Sequence, residues 1–246
     1  FKAEHLQKTG AFKARGAINA VCSLEKSKLK QGVATHSSGN HGAALARASM
    51  HHEIPAYVVV PSDARQIKKD AIAGYGARII ECQPNLESRE STLSRVVADT
   101  GAVFVHPYDD DKIIAGAGTA AMEFVEQVKG LDVMITPIGG GGLLSGASLV
   151  AAEEEIRIYG AEPSGADDAS RSMRSGERIL MHEPDTICDG LLTTVGVRNW
   201  EVIRHRVEDV LTVTDQDTLK AMYLVWTRMK QLVEPSAAVP LAAVLK

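Results

Sequence analysis

Asp132-Val133-Met134-Ile135-Thr136-Pro137-Ile138-Gly139-Gly140-Gly141-Gly142-Leu143-Leu144-Ser145-Gly146 decides how this chain is read. An apolar run reads as a buried strand, four glycines follow, and a helical pattern opens at Leu143. Each glycine costs backbone entropy on folding, so four in a row are expensive for a mere turn. Without Cβ atoms, such a loop lets backbone N–H groups close on a bound group. The positive end of the following helix makes that group an anion of phosphate size.

The same alternation extends outward. Strands are expected at 32–36, 56–60, 78–82, 102–106, 132–138, 156–161 and 209–214. Helices are expected at 40–52, 65–75, 86–100, 112–128, 143–155 and 217–232. Most of the strands are apolar on consecutive residues, as strands covered on both faces are. Strand–helix alternation with short connections predicts an α/β protein built on mostly parallel sheets. Thr9 is a candidate cap for an early helix and Asp215 for the late one.

The chain has 246 residues, 45% of them hydrophobic, which suits one large domain or two small ones. Net charge is −4 with both signs dispersed, and the absence of a basic block argues against nucleic acid as a partner. Apolar stretches are interrupted well before membrane-spanning length. Cys22, Cys82 and Cys188 are few, odd in number and far apart. That pattern fits neither a disulfide framework nor a metal ribbon, so a cytoplasmic setting and buried, hydrophobe-like cysteines are expected.

Two further segments turn a phosphate loop into a catalytic hypothesis. Gln7-Lys8-Thr9-Gly10-Ala11-Phe12-Lys13-Ala14-Arg15-Gly16 carries a lysine, and Ser37-Ser38-Gly39-Asn40-His41-Gly42 lies at a strand–helix junction. A lysine, an oxyanion-binding turn and a phosphate loop are the parts needed to use pyridoxal 5′-phosphate. The lysine holds the aldehyde as a Schiff base and the glycines hold the phosphate. Other readings remain open from the residues alone. Gly140-x-Gly142-x-x-Ser145 followed by Glu162 approximates a dinucleotide fingerprint, which would make the protein a nicotinamide-nucleotide dehydrogenase. A non-catalytic ligand-binding module is a third reading. Lys13 taken singly is an ordinary surface lysine, and the Ser37–Gly42 turn an ordinary capped helix start.

Taken in order, these blocks resemble the serine racemase and serine/threonine dehydratase family. So do Ala161-Glu162-Pro163-Ser164-Gly165-Ala166-Asp167-Asp168, Asp189-Gly190, Trp226-Thr227-Arg228-Met229-Lys230 and Val233-Glu234-Pro235-Ser236. The resemblance runs from Phe1 to Lys246, with Ala11 where the family more often has serine. It implies a two-domain, tryptophan-synthase-β-like pyridoxal-phosphate enzyme of fold type II. Residues 32–108 would form a small domain inserted into a large one made of 1–31 and 109–246. Members usually begin upstream of Phe1 and run past Lys246, where the partner of the pyridine nitrogen falls, so the chain is expected to be truncated at both ends.

The resemblance also implies roles. Lys13 is the cofactor lysine, with Phe12 beside the cofactor. Ser38 is the acid/base on the opposite face. Asn40 meets the pyridine-ring hydroxyl, and Gly139, Gly140, Gly141, Gly142, Leu143 and Gly190 complete the cofactor set. Ser37, Ser38, Gly39 and Asn40 grip the substrate carboxylate. Arg89 lies near the substrate, and His41 joins the substrate-binding set with a mainly structural part. Glu162, Ala166 and Asp168 match a site for Mg²⁺ or Ca²⁺, for which carboxylate and carbonyl oxygens are suited. The alternative is that Asp167 and Asp168 only begin a helix. Lys8, Thr9, Tyr75 and Lys230 match a nucleotide-effector site of the animal members, with Ala43 in place of a glutamine. The implied activity is ammonia-lyase (dehydratase) and/or racemase on serine, threonine or 3-hydroxyaspartate, in a homodimer.

Overall fold

A computed structural model describes residues 1–37 and 39–246; Ser38 lies outside the described residues. The chain divides into two compact units, one of residues 3–116 with Phe1 and one of residues 117–246 with Lys2. The expected division gave residues 1–31 and 109–116 to the second unit.

The first unit is a four-stranded parallel sheet in the order β3-β2-β1-β4. Its strands are β1 (Val33–His36), β2 (Ala56–Pro61), β3 (Arg78–Cys82) and β4 (Val103–Phe104). Val33 lies opposite both Ala56 and Val103, which makes β1 a central strand. Accordingly β1 is buried from Val33 to Thr35 and β2 is apolar and buried along nearly its whole length, whereas edge strand β3 exposes Arg78 and Glu81. Helices α1 (Lys13–Cys22), α2 (Asn40–His51), α3 (Gln66–Gly74) and α4 (Leu86–Thr100) belong to this unit. Ala17, Ala20 and Val21 of α1 bury against Ala44, Leu45 and Ala48 of α2, and this packing places the early helix in the first unit.

Helix α5 (Asp111–Gln127) contains the boundary between the units. Its start meets α1 backbone to backbone. A Cβ added at Gly116 would lie 2.7 Å from the Gly16 Cα, and one at Gly16 would lie 2.9 Å from the Ile113 carbonyl oxygen.

The second unit is a three-stranded parallel sheet, β5-β6-β7, of Val133–Pro137, Arg157–Pro163 and Asp209–Val213. Helices α6 (Gly142–Glu153), α7 (Asp168–Ser175), α8 (Val197–Arg206), α9 (Asp215–Leu224) and α10 (Pro235–Leu245) accompany it. Ile138, Leu144, Ile158 and Ile203 are at most 1% exposed at the centre of its core.

Several local expectations need correcting. Thr9 does not cap α1: it has φ 61 within a tight 3₁₀ turn, and Phe12 precedes the helix. Thr214, not Asp215, caps α9, through a capping box with Asp217. Asp215 instead accepts the Thr186 hydroxyl (2.5 Å) and the Ile187 N–H (3.0 Å). The helix expected to run to 232 stops at Leu224 and continues as a π turn, Val225–Met229, closed by Lys230 at φ 59. The strand expected at 102–106 is reduced to Val103–Phe104, with the Val105 N–H still bonding the Ala34 carbonyl at 2.9 Å. All three cysteines are free; Cys82 and Cys188 are buried, but Cys22 is exposed, with its Sγ 3.3 Å from His52 Nε2. Among the described residues no helix is long and apolar enough to cross a membrane.

Candidate active site

In the first unit, Lys13 opens α1, and its Nζ donates to the Pro107 carbonyl oxygen at 2.8 Å. The Phe12 ring centroid lies 5.2 Å from that nitrogen and the Tyr108 ring centroid 6.0 Å. Burial lowers the lysine's pKa from 10.5 to about 8. A carbonyl oxygen offers no negative charge to hold the proton, so a usable fraction of free amine exists near neutral pH.

Ser37 follows central strand β1, and Gly39 precedes α2. The Ser37 N–H bonds Val59, the Gly39 N–H bonds the Ser37 Oγ at 3.3 Å, and the Ala43 N–H bonds the Gly39 carbonyl. Asn40 is the first residue of α2, where N–H groups lack acceptors inside the helix. A carboxylate suits such a place. His41 is 3% exposed; burial, and then the charge of Lys13, hold its pKa well below the usual imidazole value. The pKa of His36 falls to about 4 through burial and then the charges of His106 and Arg89.

Sequence reasoning missed His106, Pro107 and Tyr108. His106 Nδ1 accepts the N–H groups of Tyr108 (3.3 Å) and Asp109 (2.9 Å), and so shapes the turn that presents Pro107 to Lys13. The available signal was position: they follow a strand ending beside β1, at the carboxyl edge of a parallel sheet where ligands bind.

In the second unit the glycines link β5 to α6. Gly141 has φ 94, and a Cβ there would lie 2.9 Å from Asn199 Cβ. A Cβ at Gly139 would lie 2.9 Å from Leu191 Cα and 3.4 Å from the Gly190 oxygen, so the Gly190 segment lines the loop. The Gly140 carbonyl accepts from the Gly196 N–H at 3.0 Å and from Asn199 Nδ2 at 2.8 Å. The first N–H of α6 to find its acceptor is that of Ser145, on Gly141. Those of Gly142, Leu143 and Leu144 precede it at the positive end of the helix, which suits a phosphate.

Glu162 is the penultimate residue of strand β6 and Asp168 begins α7; each is 1% exposed, as is Ala166 in the turn between them. Glu162 accepts the Ser170 N–H (2.6 Å) and the Ala169 N–H (3.3 Å), so it caps α7 from outside. Asp168 accepts the Val195 N–H at 3.0 Å, and His182 Nε2 lies 3.7 Å from its other oxygen. Burial, with the neighbouring Asp168 adding to it, pushes Glu162 up to about 9, and burial raises Asp168 as well. Two hard-oxygen acids that resist ionising together fit a divalent cation, which would restore both charges. Among the described residues, however, no three His, Cys, Asp or Glu side chains stand ready as a metal cage. The reading as a helix start also holds, since α7 does begin at Asp168.

Comparison with known proteins brings the two halves under one heading. A model of the family described as "Pyridoxal-phosphate dependent enzyme" matches residues 1–246. The chain is 50% identical to a serine racemase of Dictyostelium discoideum over all of this chain and 77% of that protein. A crystal structure of serine racemase from that organism superposes with a TM-score of 0.96, covering 100% of this chain and 80% of that one. A beta-hydroxyaspartate dehydratase of Paracoccus denitrificans is 48% identical over all of this chain and 79% of its own length. The crystal structure of a T.th. threonine deaminase, 40% identical, gives a TM-score of 0.94 over 99% of this chain and 80% of that one. The nicotinamide reading of the glycine loop and the non-catalytic reading both give way, and the chain belongs to the pyridoxal-phosphate-dependent enzymes, with the α/β fold type II architecture of the serine racemases and threonine deaminases.

Proposed function

We propose that the protein is a racemase and ammonia-lyase for small β-hydroxy amino acids, serine, threonine or 3-hydroxyaspartate. The observation that carries this is Lys13, a partly buried lysine whose pKa falls to about 8, at the family's lysine position in a chain half identical to a serine racemase. The similarity to a beta-hydroxyaspartate dehydratase favours the elimination branch equally.

Bound pyridoxal phosphate supplies the electron sink for the pair left when the substrate's α-proton departs. Lys13 holds the cofactor aldehyde and, as a free amine, carries the α-proton on its own face. Phe12 packs beside it. Ser38 carries the proton on the opposite face. Ser37, Gly39 and the start of α2 hold the substrate carboxylate, with Asn40 turned to the ring hydroxyl and Arg89 adding positive charge. Gly139 to Gly142, Leu143 and Gly190 hold the phosphate. His41, buried in α2, has a mainly structural part. Glu162, Ala166 and Asp168 hold Mg²⁺ or Ca²⁺ through carboxylate and carbonyl oxygens.

We also carry forward the domain plan in which 32–108 is inserted into 1–31 plus 109–246, a cytoplasmic setting suited to free thiols, and a homodimer. Exposed Tyr223, Trp226 and Leu232 are candidates for the dimer contact.

The test is spectroscopic and then chromatographic. Purified protein supplied with cofactor should be yellow, and borohydride should fix the cofactor on Lys13. L-serine should yield both D-serine and pyruvate. Lys13→Ala should lose both products, whereas Ser38→Ala should lose D-serine and keep some pyruvate. A protein that stays colourless with cofactor, or full D-serine formation by Ser38→Ala, would refute the reading.

A further inference from the structure

We propose that Asp168 is a positioning residue for the cofactor's phosphate, acting through the strap of residues 195–196. The inference rests on reading Gly139–Gly142 as the phosphate cradle. Its geometry lies wholly within the second unit. Asp168 Oδ2 accepts the Val195 N–H at 3.0 Å, and the very next N–H, that of Gly196, donates to the Gly140 carbonyl at 3.0 Å. One residue, Val195, therefore separates the N–H that the buried acid holds from the N–H that holds the glycine loop, the two lying on successive peptide planes joined at the Val195 Cα. The strap has little freedom to absorb a displacement. Val195 is 1% exposed, and its carbonyl accepts from Arg178 Nη1 at 2.9 Å. Gly196 is the N-cap of α8, accepting the Trp200 N–H at 2.8 Å, and Asn199 of that helix grips the same Gly140 oxygen at 2.8 Å. Fixing the Gly140 carbonyl fixes the Gly140–Gly141 peptide, and with it the direction of the Gly141 N–H.

This gives Asp168 a task that needs no cation. What it supplies to the strap is an acceptor oxygen; what it would supply to a metal is charge. Asparagine keeps the first and removes the second, and alanine removes both.

The experiment uses cofactor-free full-length protein in a chelator, so that metal binding makes no contribution. Pyridoxine 5′-phosphate, which has the phosphate and lacks the aldehyde, is titrated by quenching of tryptophan fluorescence. Pyridoxal, which has the aldehyde and lacks the phosphate, is titrated by absorbance. Asp168→Ala should raise Kd for pyridoxine 5′-phosphate about tenfold, equivalent to about 1.4 kcal/mol, and leave that for pyridoxal within about twofold. Asp168→Asn should bind both probes within about twofold of wild type. If Asp168→Ala does not fold, Arg178→Ala loosens Val195 from the carbonyl side and should weaken the phosphate probe selectively. Wild-type affinity for that probe in the alanine variant that folds would overturn the proposal while leaving the cofactor reading intact. An asparagine variant as weak as alanine would overturn it too, because charge and not the acceptor would then be at work. Failure of wild type to bind the phosphate probe would remove the cradle reading and this proposal with it.

Discussion

Lys13→Met in cofactor-free protein should stabilise the fold at neutral pH and do so less as the pH rises. The lysine's pKa falls from 10.5 to about 8 because burial strips water from its ammonium. In the unfolded chain it keeps its ordinary value, so between about 8 and 10.5 the unfolded state binds more protons than the folded state. Stability must therefore rise with pH across that window, and the full penalty for enclosing the charge is felt below it. At about 1.4 kcal/mol per pH unit the gap corresponds to about 3 kcal/mol. The bond to the Pro107 carbonyl is lost in the variant, and Lys13 as a residue retains part of its solvent contact, so about 1–3 kcal/mol is expected. Methionine is similar in length and flexible enough to fill the space. Urea unfolding followed by circular dichroism, at intervals from pH 7 to pH 10.5, measures the difference. It should be largest at pH 7 and close towards pH 10.5. A difference that is flat with pH, or a methionine variant less stable at pH 7, would show that the ammonium suffers no burial penalty here.

Two further outcomes follow from the second unit. Gly141→Ala places a Cβ on a residue at φ 94 and 2.9 Å from Asn199 Cβ. Backbone strain and overpacking together should cost about 2–5 kcal/mol, read as a lowered urea midpoint, with loss of cofactor colour; an unchanged midpoint would refute the packing argument. If Glu162 and Asp168 hold Mg²⁺, a chelator should lower Tm, since an ion at a hundred times its Kd stabilises by about 2.7 kcal/mol. The Glu162→Gln, Asp168→Asn double variant should be indifferent to it, and a wild type equally indifferent would return the acids to a helix-start role.

The features legible in the sequence were those enforced by chain-local chemistry. The glycine run, the buried central strands and the Lys13 block each announce themselves within a few residues. What was not legible depends on contacts between distant residues. Thr9 has the composition of a cap, yet its φ of 61 puts it in a turn before the helix. Asp215 reads as a cap and is drawn instead to Thr186, 29 positions away in sequence. Helix α10 was hidden because Pro240 lies inside it, an ordinary breaker whose cost is outweighed by the burial of Ala238, Val239 and Ala242. Helix α8 could have been found, since Trp200 and Ile203 on its buried face, and Val207 just past its end, recur at helical spacing. Nothing in the sequence announces that Asn199 and Gly196 converge on Gly140, because that convergence joins segments more than fifty residues apart.

The contact of Gly16 with Gly116 sets a different kind of limit on this protein. An added methyl at either position meets main chain, 2.9 Å from the Ile113 oxygen in one case and 2.6 Å from the Arg15 oxygen in the other. A side-chain clash can be relieved by trimming a neighbour, but main chain has nothing to trim. In a library that randomises both sites, selection for folded protein should return glycine at each, with no compensating pair. The helix that carries Lys13 is thus keyed to its neighbour by two residues that take no part in chemistry, and laboratory evolution can retune the pocket only while leaving that key uncut.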